Sequence, residues 1–389
     1  MFHRSNILSA LWLACGSLVE VAQAQTTHDV TVTFEPSIPL IEHRDGRQLL
    51  NFDLVVANRG GHRLRLTEIE ISVFDSAGNL VMRKAVNSNG LAPGIEAVAR
   101  PHLDAGEIAD IFNPFYSLAE ELPVGRMEYA LRYQREDTGQ EHDRNEHRLP
   151  MDYDMEARAE VAPVAYRTKT SLILPLTGRV FIWDGHDFYS HHRRVPLDAA
   201  RVRQMGLRAN SNRYGADLVI MDEQGRLYHG TPYDKRNWYT YGAVIYAPGN
   251  GKVVAAANDV PDNEFDGPRI VAPAIPSNAD PNLGNYVLID HGNGEFSVFP
   301  HMMPGSVAVK NGDSVHQGDR IGRVGFSGDS LFPHVHYSLL AGKPSQSEGI
   351  PAYFTRFRRL LGSRTTNVGS GTLDSGDIVE STARYSRTN

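Results

Sequence analysis

The chain is poor in cysteine, because Cys15 is the only one among its 389 residues. An intramolecular disulfide needs two thiols, so none can form, and the folded chain must rely on its packed cores. A chain of this length has enough residues to build two such cores.

An excess of positive charge is also lacking. The chain holds 39 Lys and Arg against 46 Asp and Glu, which gives a formal net charge of -7. Binding to nucleic acid depends on a basic field that attracts phosphates. We therefore expect no nucleic-acid partner.

Long hydrophobic runs are nearly absent too. The one apolar stretch, residues 7–19, is too short to span a bilayer. It follows a short basic start and precedes Ala22-Gln23-Ala24, which fits the small-x-small rule for signal-peptide cleavage. We predict a signal peptide over residues 1–24, no transmembrane segment in the mature chain, and export to the periplasm or the extracellular space. Lipid attachment at Cys15 is the minor alternative.

Short alternating segments dominate the first half of the chain. Residues 66–74 alternate between apolar and polar side chains, and the turn-forming residues 75–79 follow them. Strands of this length, regularly spaced and separated by turns, predict an antiparallel, immunoglobulin-like β-sandwich over residues 27–155. Without a Cys and Trp signature, that prediction concerns architecture alone.

No internal repeat and no amphipathic helix interrupts this pattern, so an all-β chain is expected. The last segment, residues 363–389, is rich in Ser, Thr and Gly and has few apolar residues. That composition predicts a disordered tail.

Two histidines separated by one residue are the most informative local pattern. His334 and His336 flank Val335 in a segment typical of a β-strand. Because side chains alternate along a strand, both imidazoles must lie on one face while Val335 points to the other, toward a core. Two imidazoles on one face can bind a metal, polarise a substrate, or do one of each.

A third histidine ends another predicted strand. Residues 285–290 form a β-branched, apolar run, and a hairpin signal of the Asn-Gly kind follows it. The next strand alternates from Glu295 to His301, where the chain leaves the sheet.

These segments together resemble the lysostaphin-type (LytM-type) zinc metallopeptidase family. The matching motifs, in order, read YVLIDHGNG, FPHM, GDSVHQGDRIG and HVH. The resemblance extends over residues 172–354, and we predict a LytM-type antiparallel β domain over residues 165–360.

The resemblance implies a function for individual residues. His336 and Asp217 correspond to metal ligands, and His301 and His334 to catalytic residues that act on the water and the oxyanion. One Zn²⁺ per chain is implied, and it would make hydroxide available near neutral pH. The implied substrate is a peptide of bacterial cell-wall peptidoglycan.

One position departs from the family pattern. Arg213 stands where the His-x-x-x-Asp motif that ends in Asp217 has its histidine. A guanidinium stays protonated and offers no lone pair to zinc, whereas catalytic zinc sites usually have three protein ligands. The chain thus resembles a branch of the family with Arg-Tyr-x-x-Asp at this motif.

Three outcomes are compatible with this substitution. In the first outcome a histidine from elsewhere completes the ligand set, and we expect His192; the other candidates are His186 and His191, upstream of Arg213, and His229, downstream of it. Water and exogenous groups could complete it instead. In the third outcome no metal binds, and Arg213 forms a salt bridge with Asp217.

Two functions therefore compete. The first is a zinc endopeptidase that hydrolyses peptide bonds of peptidoglycan. The second is a metal-free relative that uses the same groove to bind cell wall or to regulate another hydrolase. Arg213 favours the second function, and the four groups His301, His334, His336 and Asp217 favour the first.

Overall fold

Strands dominate the computed structural model, which describes residues 24–25, 29–98, 100–136, 153–344 and 346–386. Within these ranges there is one short α-helix, α1 (Ala200–Gln204), and two 3-10 turns, at Gly94–Ala97 and Lys235–Asn237. The predicted all-β class, with a sandwich followed by a second β domain, is confirmed. No helix in the described ranges is long and apolar enough to cross a membrane.

In the described part of the first domain there are thirteen strands. They are β1 (Ala24–Gln25), β2 (Val30–Glu35), β3 (Leu40–Arg44), β4 (Arg47–Leu50), β5 (Asp53–Asn58), β6 (Leu64–Phe74), β7 (Leu80–Asn87), β8 (His102–Leu103), β9 (Ile108–Phe112), β10 (Ser117–Ala119), β11 (Arg126–Arg135), β12 (Met155–Val161) and β13 (Val164–Ala165). One sheet has the order β1-β12-β11-β6-β7 with β8 beside β6, another β2-β5-β9, and a third β10-β4-β3-β13.

The core of the sandwich lies between these sheets. Strand β6 contributes Ile69, Ile71 and Val73, and β5 contributes Leu54 and Val56; all five side chains are fully buried. Apolar residues at every second position place one face of each strand against the other sheet, which is how alternation specifies a sandwich.

The predicted end of the sandwich at residue 155 is too early. Strand β12 begins at Met155 and pairs with β11 along its whole length to Val161. The sequence-based boundary missed this strand because a segment rich in charged residues precedes it. The predicted leader lies outside the described residues except for Ala24, which pairs with Ala159.

The second domain contains the remaining strands. They are β14 (Arg179–Asp184), β15 (Ala216–Ile220), β16 (Val244–Tyr246), β17 (Gly251–Ala257), β18 (Glu264–Asp266), β19 (Arg269–Val271), β20 (Asn285–Asp290), β21 (Phe296–Met302), β22 (Ser314–Val315), β23 (Arg320–Arg323), β24 (Val335–Leu340), β25 (Phe354–Leu361), β26 (Arg364–Gly371) and β27 (Ile378–Ser381). Ten of them form a sheet with the order β22-β17-β20-β21-β24-β15-β14-β27-β25-β26.

The prediction of a disordered tail over 363–389 is wrong for residues 364–386. Strand β26 pairs with β25, and β27 lies between β14 and β25. Leu373 and Val379 are buried in the core of the second domain. Few apolar residues are present, but Leu373 and Val379 lie where the rest of the domain covers them. The amino-acid composition of a segment does not show where in the fold its apolar residues lie.

Candidate metal and catalytic site

Four neighbouring strands bring the candidate residues together. In the order β21-β24-β15-β14, His301 lies on β21, Asp217 on β15 and Asp184 at the end of β14. Cα pairing places Asp217 opposite His336 of β24 and also opposite Asp184. His334 directly precedes β24. The antiparallel register brings Asp184, Asp217 and His336 together, because directly opposed residues on adjacent strands point to one face of the sheet. His301 and His334 lie beyond the residues that β21 and β24 pair.

The carboxylate of Asp217 is the centre of the cluster. Its Oδ1 atom lies 3.0 Å from Nδ1 of His336 and 3.1 Å from Nε2 of His334. Nε2 of His192 lies 3.5 Å from the same oxygen. All four side chains are buried. The predicted shared face of His334 and His336 is thus present, and Val335 points into the core.

His192 reaches the cluster from the segment that follows β14. Its Nδ1 atom lies 2.8 Å from Oδ2 of Asp184, which directs Nε2 toward Asp217. The Ser190 hydroxyl and the backbone N–H of His192 also donate to Asp184, at 2.5 Å and 3.2 Å. A carboxylate that holds the far nitrogen of an imidazole is a common arrangement behind metal-ligating histidines. No motif in the sequence singled out Asp184.

His301 has an unusual backbone conformation. Its φ angle is 62°, in the left-handed region that non-glycine residues seldom occupy and that is enriched at functional sites. Its Nδ1 atom lies 2.9 Å from the carbonyl oxygen of Ser327, so an Nδ1–H donates there and leaves Nε2 as the acceptor nitrogen. The ring centroids of His301 and His334 are 5.4 Å apart.

The surroundings shift the pKa values of four side chains at the centre of the cluster in different directions. Burial raises the pKa of Asp217, but the adjacent imidazoles, His334 foremost, hold it well below its usual range. Burial lowers the pKa of His336 to about 4 and takes that of His301 well below its ordinary value. Burial also acts on His334, yet the Asp217 carboxylate outweighs it and raises the pKa of His334.

The donor set fits a divalent metal ion. Ligand atoms of His192, Asp217 and His336 all lie within 4.8 Å of one another. Zinc takes imidazole nitrogens and carboxylate oxygens at about 2.0–2.2 Å, so three donors this close can share one ion. The ligand atoms of His301, His334 and His336 also all lie within 4.8 Å of one another.

Arg213 does not occupy the site. Its guanidinium is 1% exposed and donates to Asp53 of β5 at 2.7 Å and to Glu348 at 2.7 Å. Among the described residues it forms no ion pair with Asp217, so the predicted alternative of a salt bridge between those two is wrong. Burial lowers the pKa of Arg213, but these two carboxylates raise it overall.

The other histidines considered as replacements lie elsewhere. His186 is 2.7 Å from a carboxylate oxygen of Glu42 and is buried against the first domain. The His191 side chain is 62% exposed beside Asp184. His229 lines a cleft beside the cluster and is not among its members. Of the candidates, His192 alone approaches Asp217 and His336 together within the described residues.

An aromatic cleft of about 650 Å³ adjoins the cluster. Trp183, Tyr228 and Trp238 line it, together with Arg226 and His229. Phe332 connects it to the cluster, since its ring centroid is 5.0 Å from that of Trp238 and 4.9 Å from those of Trp183 and His334. Clefts lined by aromatic side chains with a few polar groups are the usual form of ligand sites.

Part of the chain is similar to known peptidases. Residues 238–347 match Peptidase family M23, so this part of the chain is an M23 peptidase domain. The chain is 33% identical over 104 residues to peptidoglycan DD-endopeptidase ShyA and 28% identical over 173 residues to peptidoglycan DD-endopeptidase ShyC, both of Vibrio cholerae. These alignments cover 26% and 44% of this chain, but only 19% and 32% of the relatives.

A solved structure of a zinc-containing peptidase from Vibrio cholerae is also similar. It is 12% identical and has a TM-score of 0.25, with 79% of this chain and 83% of that chain covered.

Proposed function

We propose that the protein is a zinc metalloendopeptidase that hydrolyses peptide bonds in bacterial cell-wall peptidoglycan. The observation that carries the proposal is the convergence of His192, Asp217 and His336 on one buried point, with His301 and His334 beside it. The M23 match and the two peptidoglycan DD-endopeptidase relatives support the reaction and the substrate class.

In this proposal His192, Asp217 and His336 hold one Zn²⁺ per chain. When bound, zinc supplies a Lewis acid for the scissile carbonyl and a source of hydroxide near neutral pH. Oδ2 of Asp184 lies 2.8 Å from Nδ1 of His192, on the side of the ring away from Asp217, so Nε2 is the nitrogen that would coordinate. On this basis we propose that the chain represents an Arg-Tyr-x-x-Asp branch of the family, in which a different segment supplies the third ligand.

The two remaining histidines divide the proton chemistry. His301 is a neutral imidazole because its pKa is low, so its Nε2 can accept the proton of the attacking water. His334 donates Nδ1–H to the carbonyl of Phe332 at 2.7 Å, and its Nε2 faces the site. A protonated Nε2 at that position can donate to the oxyanion that develops on the substrate.

The aromatic cleft gives the substrate chain a place beside the reacting bond. Phe332 packs on His334 on one side and on Trp238 on the other, so it lies between the proposed catalytic histidines and the cleft. We propose that the part of the substrate flanking the scissile bond lies there. The predicted leader and the cell-wall substrate agree with an exported protein.

The alternative is a metal-free protein that binds cell wall or regulates another hydrolase. Its main support was Arg213, which the sequence placed in the ligand set. The guanidinium is instead engaged by Asp53 and Glu348, and His192 takes the neighbourhood of Asp217. No observation on the described residues now favours the alternative over the enzyme.

Metal analysis and a cleavage assay on the full chain test the proposal. We expect about one zinc per chain and chelator-sensitive release of fragments from purified peptidoglycan. His336→Ala should lose both the zinc and the cleavage, because it removes a ligand. His316→Ala is the matched control, since that side chain is 81% exposed and lies outside the cluster. A parent protein that binds no zinc and cleaves nothing would favour the metal-free alternative.

A further inference from the structure

The first domain packs against the segment of the second domain that carries His192. Glu42 of β3 places a carboxylate oxygen 2.7 Å from Nε2 of His186, and both residues are buried. Tyr116 stacks on Phe188, with the ring centroids 3.7 Å apart. Both contacts reach the segment within a few residues of His192, and both come from the sandwich.

The residues just after His192 are held by the same domain. The guanidinium carbon of Arg194 lies 4.4 Å from the ring centroid of Phe112, at the end of β9. The Arg193 side chain is 1% exposed, and its guanidinium lies 6.0 Å from the same Phe112 ring and 4.3 Å from the Phe188 ring of its own segment. Stacking of guanidinium groups on aromatic rings stabilises such packing. The sandwich therefore contacts the segment on both sides of His192.

The second domain contributes its own contacts to His192. Asp184 holds Nδ1, and the Asn210 amide donates to the His192 carbonyl oxygen at 3.0 Å. The second domain also holds the start of the segment, where the N–H groups of Gly185 and His186 donate to the Ser375 hydroxyl and the Leu373 carbonyl oxygen. Between this start and His192, Glu42 and Tyr116 of the sandwich contact His186 and Phe188.

Arg213 adds a second connection between the domains. Its side chain binds Asp53, and the Asn51 amide donates to its backbone carbonyl at 3.1 Å. Arg213, at the position where the family pattern has a metal ligand, thus binds the sandwich. The sandwich in turn contacts the segment that carries His192.

We infer that the sandwich is a positioning module that holds His192 in the metal site, with Glu42 and Tyr116 as positioning residues. The inference rests on the proposed function, because it takes His192 as a ligand. In this inference the metal site depends on contacts from another domain of the same chain. A ligand on a long loop gains affinity when its geometry is fixed beforehand, because less ordering remains for the metal to impose.

Zinc titration of the full chain by calorimetry tests this inference. Glu42→Ala and Tyr116→Ala should each lower zinc affinity about 10-fold or more, as loss of a residue behind a metal ligand does. Glu42→Gln keeps a carbonyl acceptor for His186 and should recover part of the loss. Glu120→Ala is the matched control, because Glu120 pairs with the exposed His43 at 2.7 Å and does not touch the segment. Its affinity should equal that of the parent.

A double-mutant comparison separates positioning from general support of the fold. In a His192→Ala background, Glu42→Ala should cause little further loss of affinity, since the ligand it positions is gone. Losses that add in full would overturn the inference, as would unchanged affinity in both single variants. If Glu42→Ala does not fold, Tyr116→Ala decides the question by the same comparison. A parent that binds no zinc overturns the proposed function itself, whereas a zinc-binding parent with insensitive variants overturns the inference alone.

Discussion

Arg213 illustrates how one side chain can change its role without leaving its place in a motif. The guanidinium lies between two carboxylates, Asp53 of the first domain and Glu348 of the second, and almost no solvent reaches it. Removing one partner of a buried ion pair is costly, because the remaining charge is buried without compensation. Arg213 is therefore a structural residue at the junction of the domains.

Replacing Arg213 by histidine should harm the protein. We expect Arg213→His to lower the free energy of unfolding by about 3–5 kcal/mol, since both carboxylates lose their partner. It should not raise zinc content, because His192 already approaches Asp217. Urea denaturation and metal analysis measure the two effects.

Arg236→His is the control for that substitution. The Arg236 side chain is 78% exposed and pairs with Asp234 at the surface, so its replacement should change stability little. An Arg213→His protein as stable as the parent, with more zinc, would show that the position is an unfilled ligand site.

At the scale of elements, strand β9 contains a carboxyl group with a shifted pKa. Asp110 is 7% exposed, and its Oδ2 accepts the backbone N–H of Asp198 at 3.1 Å. Burial, and then the adjacent Asp198 carboxylate, raise the pKa of Asp110 to about 7, against the opposing effect of that N–H. This group lies where the sandwich meets the segment before α1.

The junction at Asp110 should weaken as pH rises. An unfolded aspartate titrates near pH 3.9, so between about 4 and 7 the folded chain holds a proton that the unfolded chain has lost. The free energy of unfolding should therefore fall across that range, by an amount on the order of a few kcal/mol. Asp110→Asn should remove this part of the decline. Urea denaturation at pH 5 and pH 8 provides the measurement.

Asp45→Asn is the control for the pH experiment, because the Asp45 carboxylate is 83% exposed. It should leave the difference between pH 5 and pH 8 as in the parent. An equal difference in Asp110→Asn would mean that this carboxyl ionises normally in the folded chain.

The sequence predicted the features of the site that depend on neighbouring residues, and it missed several contacts between residues that are far apart in the sequence. Period-two alternation was enough to place His334 and His336 on one face, because that rule depends only on neighbouring residues. The partners of Arg213 and the support that Asp184 gives His192 depend on pairing across strands and domains, which no short pattern encodes. The ordered tail was missed for the same reason, since Val379 becomes apolar core only beside β14 and β25.

At the scale of the whole molecule, the last strands complete the second domain. Ending the chain after Gly362 would remove β26 and β27, and with them the burial of Leu373 and Val379. Each such side chain contributes about 1.5–3 kcal/mol when fully buried, and β14 would lose a hydrogen-bonded neighbour. We expect this truncation to abolish a cooperative thermal transition of the second domain, measured by circular dichroism.

Removal of residues 387–389 alone is the matching control and should leave that transition intact. If the protein ending at Gly362 melted at the parent temperature, the last strands would be dispensable for the fold.

The position of β27 has a consequence for the order in which the proposed metal site can be completed. β14 ends at Asp184 and leads to His192, and one of its two flanking strands, β27, follows every histidine of the cluster in the sequence. A nascent polypeptide that already contains those histidines still has an open edge at β14. The order of the strands along the chain therefore makes the supporting sheet of the proposed site later to form than its ligands are to appear.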